Sequence, residues 1–442
     1  MIGDSKVTRD ALAHGIRWFC IASLLMLGVF AVLVERLDVR AQSNPEAQGE
    51  SRSSQPTTAN QSTFLARAAF VGDAICAQCH RDIANSYAQT SHHQTSRVAD
   101  GNAILGDFRD GSNGLWSRNL NVRFAMNARG GRFYQTASWG TEGKTSFTND
   151  GSAHPGRVDP SGSLHSRTEP FDLVIGSGVR GQNYLYWQEE ELFELPVAYS
   201  AQVRRWIVSP GYTNRAAIFD RPILPRCLEC HASYFQSPYP GLELNMYKSQ
   251  DVVLGISCEV CHGPGRVHAE SGGVAALHGA AIGIVNPAKL PAARQDDLCA
   301  FCHAGAGVEL RPAFSYVPGE VLSESLDLGE SESPSDSDVH GRQSLLMRKS
   351  RCFKMSATLR CTTCHDVHRP EMDLARMSQH CLACHEVKPT AAHTRAGKQI
   401  QSNCIDCHMP ILESKIIELD VDGTKVRPRL RSHWIKIYPA SP

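Results

Sequence analysis

The sequence predicts a mixed fold, mainly short α-helices and loops with a small β-rich insertion and low regular secondary structure. Three observations predict it. Fourteen of the 16 cysteines fall into seven copies of Cys-x-x-Cys-His, which impose short local turns. Aromatic residues make up only 7% of the chain, and 35 glycines with 23 prolines divide it into short pieces. The stretch from 81 to 226 contains no pentad and carries alternating, strand-like patterns.

The pentads are Cys76–His80 with Cys79, Cys227–His231 with Cys230, Cys258–His262 with Cys261, Cys299–His303 with Cys302, Cys361–His365 with Cys364, Cys381–His385 with Cys384, and Cys404–His408 with Cys407. A given cysteine would open such a pentad by chance roughly once or twice in a thousand at this composition, so seven are not accidental. Two thiols three residues apart reach the two vinyl groups of one haem, and the adjacent histidine supplies an imidazole to its iron. Zinc ribbons pair Cys-x-x-Cys motifs two at a time, and thioredoxin-like centres do not need the histidine, so an odd count of seven suits neither. The expectation is seven covalently attached haem c groups, and much of the core is expected to be porphyrin. Only Cys20 and Cys352 lie outside the pentads.

The elements follow in order. Lys6, Arg9 and Arg17 precede an uncharged run of 17 residues from Trp18 to Val34, so residues 1–41 read as an N-terminal membrane anchor or signal peptide. Val39-Arg40-Ala41 offers a cleavage site, but the run exceeds the usual signal-peptide core, which favours an anchor formed by residues 18–34. Export follows either way, to the periplasmic or another extracytoplasmic face. Residues 42–63, polar and without apolar period, read as a flexible linker, and 64–114 as the first haem segment.

Residues 115–220 read as the β-rich insertion. Val122–Met126 and Arg132–Thr136 alternate on either side of Arg129-Gly130-Gly131, a hairpin pattern. Tyr184–Trp187 and Leu192–Leu195 repeat the arrangement, and Arg205–Val208 adds a strand. Residues 221–320 hold pentads two to four and 344–442 pentads five to seven, with helical stretches such as Asp82–Thr90 and Glu371–Cys381. Between them, residues 321–343 form an acidic, Ser-rich segment, with seven Asp and Glu from Glu320 to Asp338, expected to loop out and separate two haem clusters. Net charge is balanced, 45 basic against 45 acidic residues, which gives no reason to expect a nucleic-acid partner. The partners expected are redox proteins and, through the N-terminal segment, a membrane.

The sixth iron ligand decides what each haem does: a second histidine closes the iron for electron transfer, and an open position admits a substrate. Beyond residue 41, eleven histidines lie outside the pentads, namely His92, His93, His154, His165, His268, His278, His340, His368, His380, His393 and His433. All seven irons could therefore be closed.

Cys76–His80 followed by Gln-Thr-Ser around His92, Ile175-Gly-Ser-Gly, Leu195-Pro196, Gly255–Gly265 then His268, Cys-His365-Asp-Val-His368, Cys-His408-Met-Pro and Ser-His433 together resemble the multihaem cytochromes related to the tetrahaem cytochromes of nitrifying bacteria, over roughly residues 70–440. The resemblance implies that His92, His268, His368, His393 and His433 are distal ligands, each serving a haem other than the nearest in sequence. His93 competes with His92. Met409 abuts its own motif and reads as packing, Cys20 as part of the apolar run, and Cys352 as a buried thiol or an unusual ligand.

The reading is an exported seven-haem cytochrome that transfers electrons between a membrane-linked donor and a periplasmic or external acceptor. Its rival is a multihaem reductase or oxidase of a small nitrogen or sulfur species with one open iron, which would lie near His154, His165 or Arg180. No pentad carries the Lys in place of His that marks pentahaem nitrite reductases. A third class, a filament of linked cytochromes, is opposed by the anchor-like N-terminus.

Overall fold

The computed structural model describes residues 67–439 apart from 119, 140–145, 148–152, 155–164, 213–218, 240, 273–281, 330–337, 371–372, 388–389, 391–392, 395–396 and 422. All of them belong to one compact unit, Ser62–Pro442. The run 18–34, with Cys20, lies outside the described residues, as does His278; among those described, no helix is long and apolar enough to cross a membrane.

The pentad-free stretch builds two antiparallel sheets. Strands β2 (Gly114–Ser117), β3 (Val122–Arg129), β4 (Arg132–Trp139) and β7 (His165–Pro170) form a four-stranded meander, beside a short pair, β5 (Ser146–Phe147) and β6 (Ala153–His154). The β3–β4 turn works because Gly130 and Gly131 both take positive φ, 57° and 77°, which closes the two-residue connection between paired Arg129 and Arg132. Alternation along β3 puts Val122, Phe124 and Met126 on the inner face, each fully buried.

The second sheet has seven strands. β1 (Ser96–Val98), β8 (Leu173–Ile175), β9 (Gly181–Gln188), β10 (Glu191–Glu194) and β13 (Arg221–Pro222) lie in that order, and β11 (Val197–Ser200) pairs both β9 and β12 (Arg205–Val208). Tyr184, Tyr186 and Trp206 from this sheet share one core with Phe124 and Met126 of the meander. The insertion is thus a packed two-sheet body, and its edge strand β1 comes from the first haem segment. Sequence reading gave the hairpins but not this recruitment, because three residues of β1 carry no strand signal of their own.

The rest of the chain is as irregular as expected. Short antiparallel pairs pin it: β14 (Ala232–Phe235) with β15 (Val252–Leu254), β16 (Val308–Glu309) with β17 (Leu326–Asp327), β18 (Ile411–Glu413) with β21 (Arg429–Arg431), and β19 (Leu419–Val421) with β20 (Thr424–Val426). The flanks of the acidic segment do not loop away. Leu322 and Leu326 are buried against Ala300 and Phe301, and buried Asp338 accepts from Ser414 Oγ and Lys415 N–H. The surrounding carboxylates masked those two leucines in the sequence. The helix expected from Glu371 begins at Leu374, because Asp373 caps it by accepting from the N–H groups of Ala375 and Arg376.

Candidate functional site

Each pentad sits on or beside one short helical turn. The helices are α1 (Asp73–Cys79), α3 (Pro225–Glu229), α4 (Cys258–His262), α6 (Ala292–His303), α9 (Cys361–Cys364), α10 (Leu374–Leu382) and α11 (Cys404–His408), with α2 (Arg81–Tyr87), α5 (Arg266–Glu270), α7 (Gln343–Lys349) and α8 (Arg351–Met355) between them. Positions i, i+3 and i+4 of a helical turn share a face, so both thiols and the imidazole turn the same way. The N–H groups of His80, His365 and His385 donate to the carbonyls of Cys76, Cys361 and Cys381, which closes that turn.

Three pentad imidazoles are anchored from behind. His262 Nδ1 lies 2.8 Å from Val285 O, and His408 Nδ1 lies 3.0 Å from Lys436 O. A carbonyl only accepts, so Nδ1 carries the proton and Nε2 presents a lone pair, the arrangement of a metal-ligating histidine. His231 Nδ1 lies 3.1 Å from Thr95 Oγ1, a hydroxyl that can accept or donate.

Four of the five histidines singled out by resemblance face a pentad histidine. His268 lies opposite His80 with ring centres 6.4 Å apart, His368 opposite His262 at 6.1 Å, His433 opposite His365 at 6.1 Å and His92 opposite His303 at 6.0 Å. The first three pairs are within 20° of parallel and the fourth is nearly perpendicular, at 78°. These separations are too long for ring contact. They match two metal–nitrogen bonds of about 2 Å plus two ring radii of about 1 Å, the spacing that an iron between the rings would require. In every pair the partner comes from the neighbourhood of a different pentad.

Electrostatics favour the neutral imidazole that a metal requires. Burial, then the neighbouring His92, His365 and His231, holds His303 down at about 4. Burial, then His365, does the same to His433, also to about 4.

The remaining histidines are placed otherwise. His93 puts Nε2 3.4 Å from Asp73 Oδ2 and packs edge-on against Tyr87. Its neighbour is fixed by Gly255. That glycine takes φ of 70°, a Cβ there would overlap the His93 carbonyl, and the adjacent Ile256 N–H donates to His92 O. His393 lies in a helical turn between pentads six and seven, its N–H donating to Thr390 Oγ1. His165 stacks on Trp139 at the edge of the meander, His154 lies on β6, and exposed Arg180 precedes β9 in the other sheet. His340 and His380 are exposed.

The pentads also touch one another. The thiols of Cys76 and Cys258, of Cys230 and Cys302, of Cys299 and Cys361, and of Cys381 and Cys404 lie beside one another. Cys261 acts electrostatically on both Cys299 and Cys302, and Cys364 on Cys381. The Cys299–Cys361 contact joins the two groups that the acidic segment was expected to separate. Half-buried Cys352, on α8, lies within electrostatic reach of Cys364 and Cys381.

Sequence reasoning missed the variable positions inside two pentads. Glu259 accepts from the N–H groups of Val71, Gly72 and Gly265, tying the third pentad to the start of α1. Glu229 accepts from Phe314 N–H and from Arg226, whose guanidinium also donates to Phe301 O and Ala306 O. The signal available was an acid in a position that the attachment chemistry leaves free.

Paired thiols, adjacent histidines and facing imidazoles are together the donor set that covalently bound haem c would need. Residues 212–263, which contain the second and third pentads, match the family described as cytochrome c554 and c-prime. The chain is also similar to the solved outer cell wall cytochrome OcwA, at 16% identity and a TM-score of 0.49 over 83% of this chain and 80% of that one. No curated protein matches it.

Proposed function

We propose that the chain binds seven haem c groups and passes electrons along them outside the cytoplasm, between a membrane-linked donor and a periplasmic or external acceptor. The observation that carries this reading is the unbroken succession of neighbouring pentads. Pentads one and three, three and four, four and five, five and six, and six and seven are neighbours, with the second joined to the fourth. Attachment sulfurs bond to the porphyrin periphery, so neighbouring pentads bring neighbouring peripheries together. Bound haem supplies the one-electron chemistry. His80 with His268, His262 with His368, His303 with His92 and His365 with His433 would hold the irons and keep small ligands out. The fifth distal histidine in this proposal is His393, serving one of the remaining pentads, and residues 18–34 anchor the chain.

A second reading rests on His231. It is half-buried, is fixed through Thr95, and belongs to none of the four facing pairs. An iron held on that side alone would admit a small nitrogen or sulfur species. Mass spectrometry and low-temperature electron paramagnetic resonance test both readings. The proposal expects seven haem masses and predominantly low-spin irons. Fewer haems would end it, and a high-spin iron with steady nitrite or hydroxylamine turnover would establish the reductase.

A further inference from the structure

Charge is balanced over the whole chain but not along it. Residues 344–442 carry 16 Lys and Arg against nine Asp and Glu, whereas residues 1–343 carry 29 against 36. The basic part is the part that holds pentads five to seven. Within it, Arg351 and Lys354 are exposed on α8, Arg429 is exposed on β21, and Lys415 is exposed just after β18.

These elements converge on the seventh pentad. Ser350, at the start of α8, donates to His433 O and accepts from Ile435 N–H, so α8 packs on the C-terminal segment. That segment continues directly from β21, and its Lys436 carbonyl holds His408. Lys349 and Lys436 both lie over the Trp434 ring, at 5.6 and 3.6 Å.

The tract also exposes apolar surface. Ile437 at 85% and Met355 at 78% are the most exposed large hydrophobic residues among those described, and each follows a lysine directly. Apolar residues set among like charges are what a transient protein interface presents, the charges steering encounter and the apolar contacts giving area. Propionates of haems held nearby would answer part of the positive charge. They do not account for exposed Ile437 and Met355.

We propose that this tract, around α8, β21 and the C-terminal segment beside the seventh pentad, is the docking face for an acidic electron-transfer protein. The inference rests on the electron-transfer reading above and adds the end of the chain at which a partner engages and the charge it must carry.

The test uses the full haem-loaded protein and two electron donors, a reduced plant-type [2Fe–2S] ferredoxin as an acidic protein and hexaammineruthenium(II) as a small cation. Reduction by ferredoxin should slow on the order of tenfold as salt is raised. The combined variant Arg351→Glu, Lys354→Glu, Lys415→Glu and Arg429→Glu should slow it by a similar factor at low salt and leave reduction by the ruthenium complex undiminished. If that variant fails to load seven haems, Lys354→Glu alone should slow ferredoxin about two- to threefold. A ferredoxin rate indifferent to salt, or equal losses with both donors, overturns the docking face and leaves the basic residues as propionate partners. Failure of both donors to reduce the native protein would instead sink the electron-transfer reading.

Discussion

The imidazoles of His80 and His268 face each other 6.4 Å apart and 14° from parallel, although 188 positions separate them. His268 follows the third pentad in sequence yet addresses the first. Replacing it by Ala should therefore convert one low-spin haem to high-spin, and that haem should be the one on Cys76 and Cys79. In a Cys76→Ala, Cys79→Ala background, which lacks this haem, His268→Ala should leave the spin count unchanged. A spin change persisting in that background would assign His268 elsewhere.

The bond between His231 Nδ1 and Thr95 Oγ1 supports a second experiment. With Nε2 on an iron, Nδ1 of His231 would carry the proton and donate to Thr95, which makes the imidazole a stronger ligand and favours oxidised iron. Thr95→Val should raise the reduction potential of a single haem, read by spectroelectrochemical titration, with all seven still attached. Thr95→Ser should keep the native value.

Glu309 gives stability a pH dependence. Burial, reinforced by Glu229 and Glu243, lifts its carboxyl to about 7, and its Oε1 is buried without a hydrogen-bond partner. The folded state thus holds the proton more tightly than the unfolded state, so this group costs stability increasingly as pH rises from about 4.5 to about 7, and the cost is constant above. Glu309→Gln should raise the melting temperature at pH 8 and change it little at pH 4.5. Equal shifts at both values would mean that the substitution acts through packing.

Trp206 tests the two-sheet body. It is 3% exposed, packs against Phe108, Phe171, Tyr184 and Tyr199, and donates through Nε1 to Asp107 O. Trp206→Ala should cost about 3–5 kcal/mol, measured by denaturant unfolding followed at the tyrosine signal, while haem content stays at the native value. A loss below 1 kcal/mol would show that the insertion is held by the haem-bearing segments and not by its own core.

What the sequence made legible was local. Arg129-Gly130-Gly131 spelled out its hairpin because the turn chemistry is contained in two residues, and each pentad is a complete half-site in five. The facing of His368 with His262, or of Cys299 with Cys361, was not legible, since nothing near either residue encodes a partner far away in the chain. The resemblance supplied candidate histidines without pairing them. Glu259 went unnoticed because the attachment chemistry is indifferent to its position, while the packing of α1 against α4 is not.

The four histidine pairs join positions 188, 211, 106 and 68 residues apart. Tied through a metal, each pair is a cross-link in the sense that a disulfide is, and a link across 100 residues restricts the unfolded chain by about 4–5 kcal/mol. The spans also interleave: the link from His92 to His303 begins inside the one from His80 to His268 and ends beyond it. Losing either link releases a segment that the other does not enclose. Such a chain cannot mature strictly from one end, because the first pentad waits for a histidine made long after it. Attachment would precede final coordination, the thioethers holding each porphyrin and the pentad histidine one side of its iron until the facing histidine is in place.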